Sequence, residues 1–87
     1  MKAITNYMKM TIGGYSRNEG LARMCVSAFA SQLDPTIEEI NDIKAAVSEA
    51  VTNCIVHGYK DTIGDIHIEL KIIENDTLYI RIKKACW

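Results

Sequence analysis

A carboxylate and a carboxamide lie four residues apart, at Glu49 and Asn53, within a run of small and apolar residues. If this segment is helical, both side chains lie on one face, one turn apart. A carboxylate can orient or deprotonate a hydroxyl group, and an amide oxygen can coordinate a hard cation such as Mg2+. The same spacing also occurs on solvated helix surfaces that bind nothing. The pair is therefore a candidate site whose meaning depends on the elements around it.

The segment around this pair has the apolar periodicity of a long helix that ends near His57, with Gly58 as its C-terminal stop. Pro35 fits the start of this helix, and Thr36 with Glu39 has the spacing of a capping box. The face that carries Glu49 and Asn53 is polar but nearly uncharged, which suits a surface covered by a ligand or another segment. The predicted core stripe consists of Ile40, Ile43, Val47, Val51 and Cys54.

An earlier helix is predicted over residues 17–32. Ser16 and Glu19 have capping-box spacing at its start, and Arg23 lies on the face opposite its apolar residues. The residues that recur at helical intervals, and that we expect in the core, are Leu21, Met24, Cys25, Ala28 and Phe29.

Alternating apolar and polar residues predict three strands. Residues 8–12 form the first, which Gly13-Gly14 ends, and residues 66–72 and 78–82 form an antiparallel hairpin with Asn75-Asp76 at its turn. The order strand, helix, helix, strand, strand predicts an α+β two-layer sandwich, with two helices on one face of a small antiparallel sheet. Eighty-seven residues allow one domain.

Composition narrows the function classes. The net charge of -1 predicts no basic patch and no direct contact with nucleic acid. No apolar run approaches the ~20 residues of a membrane span, and the start is too polar for a signal peptide, so we expect no membrane association. The three cysteines, Cys25, Cys54 and Cys86, lack paired metal-ligand spacing. Reduced thiols in a cytoplasmic protein are the expected state.

Four segments in a fixed order carry a family resemblance: Asn-Glu-Gly-Leu-Ala-Arg at 18–23, Gln-Leu-Asp-Pro-Thr at 32–36, Val-Ser-Glu-Ala-Val-Thr-Asn at 47–53 and His-Gly-Tyr at 57–59. With these segments the sequence resembles the anti-sigma F factors. Those are serine-kinase anti-sigma proteins of spore-forming bacteria, in the superfamily of GHKL or Bergerat-fold ATPases. The resemblance runs from about residue 8 to residue 83.

The resemblance implies ATP or ADP with Mg2+ as cofactors. It assigns Glu49 as the general base that activates the acceptor serine of an anti-anti-sigma factor. It also assigns Asn53 as the cofactor-binding residue that holds the Mg2+. Arg23, with Glu19 nearby, would contact sigma factor F and, in exchange, the anti-anti-sigma factor. A homodimer formed through the first strand and first helix is also implied.

The sequence departs from the family pattern after the last strand. Members carry an Asp-x-Gly-x-Gly loop whose aspartate reads the adenine amino group, and Lys84 occupies that register here. We therefore expect residues 1–87 to be a partial histidine-kinase-like ATPase domain that lacks the C-terminal half and is not catalytically competent alone. Two alternatives stay open: a non-catalytic module for sigma binding or dimerisation, and a non-functional gene fragment.

Overall fold

A computed structural model describes residues 2–58 and 63–84, except for the side chain of His57. Tyr59 and Cys86, which enter the predictions above, lie outside the described residues. The elements follow the predicted order and confirm the α+β two-layer class. They are β1 (Ile4–Gly13), α1 (Asn18–Ala30), a 3-10 turn (Ser31–Leu33), α2 (Ile37–Asn53), a π-helical turn (Cys54–Gly58), β2 (Asp65–Ile73) and β3 (Thr77–Lys84).

The sheet has the order β1-β2-β3, and both neighbouring pairs are antiparallel. β1 is longer than the predicted 8–12 because it pairs with the whole of β2, from Ile4 opposite Ile73 to Gly13 opposite Asp65. One face of β2 packs under the helices, as the alternation predicted. Its buried residues are Ile66, Ile68, Leu70 and Ile72.

A tight turn joins β2 to β3. Glu74 and Asn75 both have left-handed backbone angles, with φ of 54° and 61°, and the Asp76 amide donates to the Ile73 carbonyl at 3.2 Å. Two consecutive positive φ angles are the mark of a type I′ turn, whose twist matches that of a hairpin. The predicted hairpin is confirmed, with its turn centred one residue earlier than Asn75-Asp76.

α2 begins with the predicted capping box. The Thr36 hydroxyl accepts from the Glu39 amide at 3.1 Å, and the Glu39 carboxylate accepts from the Thr36 amide at 2.9 Å. Of the predicted stripe, Val47 and Val51 are buried. Ile43 and Cys54 are partly buried against the core, and Ile40 is half-buried outside the core cluster. The α-helix itself ends at Asn53 rather than near His57, because the chain continues as the π-helical turn. Such turns often occur beside functional residues.

The start of α1 differs from the prediction. The N-cap position is occupied by Arg17, which makes no side-chain cap, so Ser16 and Glu19 do not form a capping box. Instead the Ser16 carbonyl accepts from the Glu19 amide at 3.2 Å, and the Asn18 side chain donates to the Gly13 carbonyl at 2.9 Å. The Glu19 carboxylate is therefore available for another partner.

The buried face of α1 also differs from the prediction. Of the residues expected in the core, only Phe29 is buried, at 8% exposure, whereas Leu21 and Met24 are 48% and 70% exposed. α1 packs chiefly against α2, and small side chains allow that close approach. The buried face of α1 consists of Ala22, Val26, Phe29 and Ala30.

Candidate functional site

The second helix holds the predicted pair in place. Val47 and Val51 are 1% and 0% exposed and anchor α2 to the core, while Glu49 and Asn53 point away from it and are exposed. Neither side chain makes a hydrogen bond or ion pair within the described residues. The structure thus brings the two together on one open helix face.

Between Ala45 and Val56 this face carries a single charge, that of Glu49, whereas Glu38 and Asp42 continue the same side toward the start of α2. Its exposed residues are Ala45, Glu49, Thr52, Asn53 and Val56. Val56 is 58% exposed, which is high for a branched apolar residue. The predicted polar and nearly uncharged segment of this face is open to solvent in the described structure.

The donor set on this face fits a magnesium nucleotide. Mg2+ is usually held by one or two protein oxygens together with phosphate oxygens and water, rather than by a cage of protein ligands. The amide oxygen of Asn53 is one such ligand, and it is unoccupied by any internal hydrogen bond within the described part. No cluster of three or more His, Cys, Asp or Glu side chains occurs among the described residues.

Cys54 follows Asn53 directly, yet its thiol is a poor nucleophile. Burial raises the pKa of the Cys54 thiol, and the backbone and charge of Lys84 oppose that rise. The thiol therefore stays protonated at neutral pH. The contact also places Lys84 beside the end of α2.

The second predicted group joins α1 to α2. Arg23 Nη1 donates to both carboxylate oxygens of Glu19, at 2.9 and 3.0 Å, and to the Ser48 hydroxyl at 3.2 Å. The Arg23 side chain is 40% exposed and that of Glu19 is 24% exposed. Arg23 and Glu19 are together, as predicted. The sequence placed Ser48 on the polar face of α2 with Glu49, and its contact with Arg23 was not predicted. No sequence signal marks Ser48, because its contact depends on the rotation of one helix against the other.

A groove lies between the start of α1 and the end of α2. It has a volume of about 220 Å3 and connects the two groups, since Glu19 belongs to the ion pair and Thr52 to the exposed face. The residues that line it are Ser16, Glu19, Thr52, Ile55 and Val56.

The outer face of the sheet corrects the expectation of no basic patch. Lys9, Lys71, Arg81 and Lys83 gather there around one carboxylate, that of Glu69, because the strand register sets them side by side. Lys9 and Lys71 approach Glu69 at 3.6 and 4.0 Å, while Arg81 and Lys83 make no ion pair within the described residues. A shallow cavity of about 410 Å3 lies among them. The absence of nucleic-acid binding stays a prediction. The net charge of -1 does not support it by itself, because several basic residues lie together on one face.

None of the helices in the described ranges is both long enough and apolar enough to cross a membrane.

Comparisons with known proteins agree with this geometry. The model of the histidine kinase-like ATPase domain family matches residues 16–84. The anti-sigma F factor of Thermoanaerobacter sp. (strain X514) is 61% identical over 82% of this chain and 50% of its own length. That of Clostridium novyi (strain NT) is 55% identical over 86% of this chain and 53% of its own length.

The anti-sigma F factor of Clostridium perfringens (strain SM101 / Type A) is 56% identical over 82% of this chain and 51% of its own length. The chain thus spans about half the length of the curated relatives it matches. The resemblance to anti-sigma F factors is confirmed. Since the family model matches well over half of its residues, the chain belongs to the histidine kinase-like ATPase domain family.

Proposed function

We propose that this chain carries the catalytic and recognition helices of an anti-sigma F factor, which binds and inhibits a sporulation sigma factor and phosphorylates its anti-anti-sigma factor on serine with ATP. The observation that carries the proposal is the exposed pair Glu49 and Asn53 on a helix anchored by two buried valines, in a chain 61% identical to an anti-sigma F factor. The relatives supply the partner class through their name, and the exposure of Glu49 and Asn53 supports their proposed roles.

In the proposed reaction, phosphoryl transfer depends mainly on positioning and charge stabilisation. A bound Mg2+ would neutralise charge on the ATP phosphates. Asn53 would hold that ion through its amide oxygen, and Glu49 would orient the acceptor serine and accept its proton. Both side chains need freedom from internal partners for these roles, and both have it within the described residues.

The protein partners, sigma factor F and the anti-anti-sigma factor, would bind α1. Arg23, held beside Glu19 and 40% exposed, would contact sigma factor F and the anti-anti-sigma factor in turn. Leu21 and Met24 support an interaction role for this helix, because both are large apolar side chains that are exposed on α1. β1 is an edge of the described sheet, so a homodimer through β1 and α1 is part of the proposal. Such partners act in the cytoplasm, without direct contact to DNA or a membrane.

Residues 1–87 would act as a partial ATPase domain, with weak nucleotide binding of their own. Glu49 and Asn53 lie on an open face, so the described residues place few groups opposite a bound nucleotide. A non-catalytic module that binds sigma factor through α1 is the second candidate, and the exposed Arg23 favours it.

Binding to a sigma factor tests the recognition part. The probe is the sigma F factor of Thermoanaerobacter sp. (strain X514), measured by biolayer interferometry against the chain and its Arg23→Glu variant. We expect Arg23→Glu to abolish binding, because it sets a second carboxylate beside Glu19. Arg81→Glu is the matched control, since it makes the same change on the outer face of the sheet. Equal affinities for the parent chain and Arg23→Glu would remove Arg23 from the interface.

Nucleotide binding is tested separately by NMR titration with Mg-ATP to millimolar concentration. We expect small shifts at the Glu49 and Asn53 amides that Asn53→Ala suppresses. The control is Asn41→Ala, an exposed asparagine near the other end of the same helix. If no resonance on α2 moves, the nucleotide role of these 87 residues is wrong and the binding module stands alone.

A further inference from the structure

Ser48 lies on α2 directly before Glu49, and its hydroxyl crosses to the neighbouring helix. Its oxygen lies 3.2 Å from Nη1 of Arg23 on α1, and the side chain is half-buried between the helices. This hydrogen bond joins the helix of the proposed catalytic residues to the arginine of the proposed partner surface. Nothing in the proposed chemistry requires it.

The two acceptors of Arg23 restrain it in different ways. Glu19 lies on the same helix, one turn earlier, so its ion pair ties the guanidinium only to α1. Ser48 supplies the restraint that comes from α2. A free arginine side chain samples many rotamers, so an anchor from each of two helices leaves it far fewer orientations.

The anchored orientation leaves one edge of the guanidinium available. All three internal hydrogen bonds use Nη1, and the Nε and Nη2 atoms make none within the described residues. These two nitrogens form the edge that binds a carboxylate in a bidentate manner. The side chain is 40% exposed, so a partner can reach that edge.

We propose that Ser48 is a positioning residue, which holds Arg23 so that its Nε and Nη2 edge faces an oxygen acceptor of the protein partner. The inference rests on the proposed function, since it assumes that Arg23 contacts that partner. Without the hydroxyl, Arg23 keeps its charge and its pair with Glu19 but loses its anchor on α2. Binding then has to order the side chain again, which weakens affinity.

The test measures affinity for the sigma F factor of Thermoanaerobacter sp. (strain X514) by biolayer interferometry. We expect Ser48→Ala to weaken binding by about threefold to tenfold, the range of one typical hydrogen bond, because the contact is partly exposed. Ser48→Thr keeps the hydroxyl and should restore affinity. In an Arg23→Ala background, Ser48→Ala should add no further loss, because the group that it positions is gone.

Ser27→Ala is the matched control. The Ser27 hydroxyl is also half-buried and also bonds to Arg23, but to its backbone carbonyl at 2.7 Å rather than to its guanidinium. We expect this variant to bind like the parent chain. If Ser27→Ala and Ser48→Ala weaken binding equally, a general disturbance of the helix pair explains both, and the inference is wrong.

The outcomes distinguish a failure of the role inferred for Ser48 from a failure of the proposed function of Arg23. Weaker binding with Arg23→Ala but parental affinity with Ser48→Ala overturns the inference and leaves the proposed function intact. Parental affinity with Arg23→Ala, or no binding by the parent chain, overturns the recognition role and the partner-facing inference with it. A readout without any partner is the NMR order parameter of the Arg23 Nε–H bond, which Ser48→Ala should lower and Ser27→Ala should not. An unchanged order parameter refutes the positioning role itself.

Discussion

Val51 offers a direct test of how α2 is held, because it lies between the two candidate site residues and is completely buried. Its exposed fraction is 0%, and its side chain belongs to the core cluster beneath the helices. Val51→Ala removes two methyl groups from this contact without introducing a polar atom. The helix that presents Glu49 and Asn53 then loses one of its two anchors.

The size of the effect follows from that burial. Each buried methyl-sized group contributes about 0.8 kcal/mol, so the transfer contribution is about 1.6 kcal/mol. Any space left open adds about 24 cal/mol per Å3, which brings the expected loss of unfolding free energy to about 2 kcal/mol. A chain of 87 residues has a total stability of roughly 4–13 kcal/mol, so the loss is a substantial share.

Urea denaturation followed by circular dichroism measures this loss. With a slope of about 1–3 kcal/mol per molar urea, the midpoint should fall by roughly 1 M. Thermal unfolding should show a decrease in Tm of about 8–16 °C, from about 4–8 °C for each kcal/mol. The control is Val56→Ala, the same chemical change at a residue that is 58% exposed, which should stay within about 0.5 kcal/mol of the parent. Equal urea midpoints for Val51→Ala and Val56→Ala would refute the packing of α2 described above.

Three further predictions concern local chemistry. Gly14→Ala should destabilise the chain because the new Cβ would lie 2.8 Å from a backbone oxygen. Gly20→Ala, within α1, should stabilise it by about 0.5–1 kcal/mol, because its Cβ would meet only Nη2 of Arg23, at 3.8 Å, an ordinary van der Waals distance. Chemical denaturation that gave both changes the same sign would contradict this. Thr36→Ala should cost about 1 kcal/mol at pH 7. Hydrogen bonds from the Thr36 backbone and hydroxyl hold the pKa of Glu39 below its usual value. The ionised carboxylate therefore stabilises the folded state, and this stabilisation is lost as the pH falls through the lowered pKa of the folded chain. The difference between parent and Thr36→Ala should therefore shrink in acid, and a pH-independent difference in urea titrations would remove this account. Lys84→Asp should strengthen the binding of ATP or ADP in calorimetry, because a carboxylate beside the end of α2 can accept a hydrogen bond from the adenine amino group. Unchanged binding heat would contradict the alignment of Lys84 with the adenine-reading aspartate.

The strands, the hairpin and α2 could be predicted because their signals are local. The period of two along β2 follows from the alternation of side chains across a strand, and the Thr36 and Glu39 capping box needs only residues three apart. The family resemblance is also carried by short segments, above all the one around Glu49 and Asn53. The same locality explains the error at Ser16, where a capping-box spacing was present but the turn before α1 is set by contacts with β1.

The buried face of α1 could not be predicted from its sequence. Apolar residues occur on more than one side of this helix, and the side that is buried is the one whose small residues fit against α2. Leu21 and Met24 therefore remain exposed while Ala22 and Val26 are enclosed. Periodicity measures apolar content along a helix, whereas burial depends on the shape of the surface that the helix meets.

The sequence by itself determined the order of elements, the central strand of the core and the spacing that places Glu49 beside Asn53, because each depends on residues close together in the chain. Only the tertiary structure decided that both side chains have no partner among the residues it describes, and that Ser48 reaches Arg23, 25 residues away. It also gathered Lys9 and Arg81 around Glu69, in a chain whose net charge is -1. These features arise from the rotation of one helix against another and from strand register, which depend on how distant surfaces pack together.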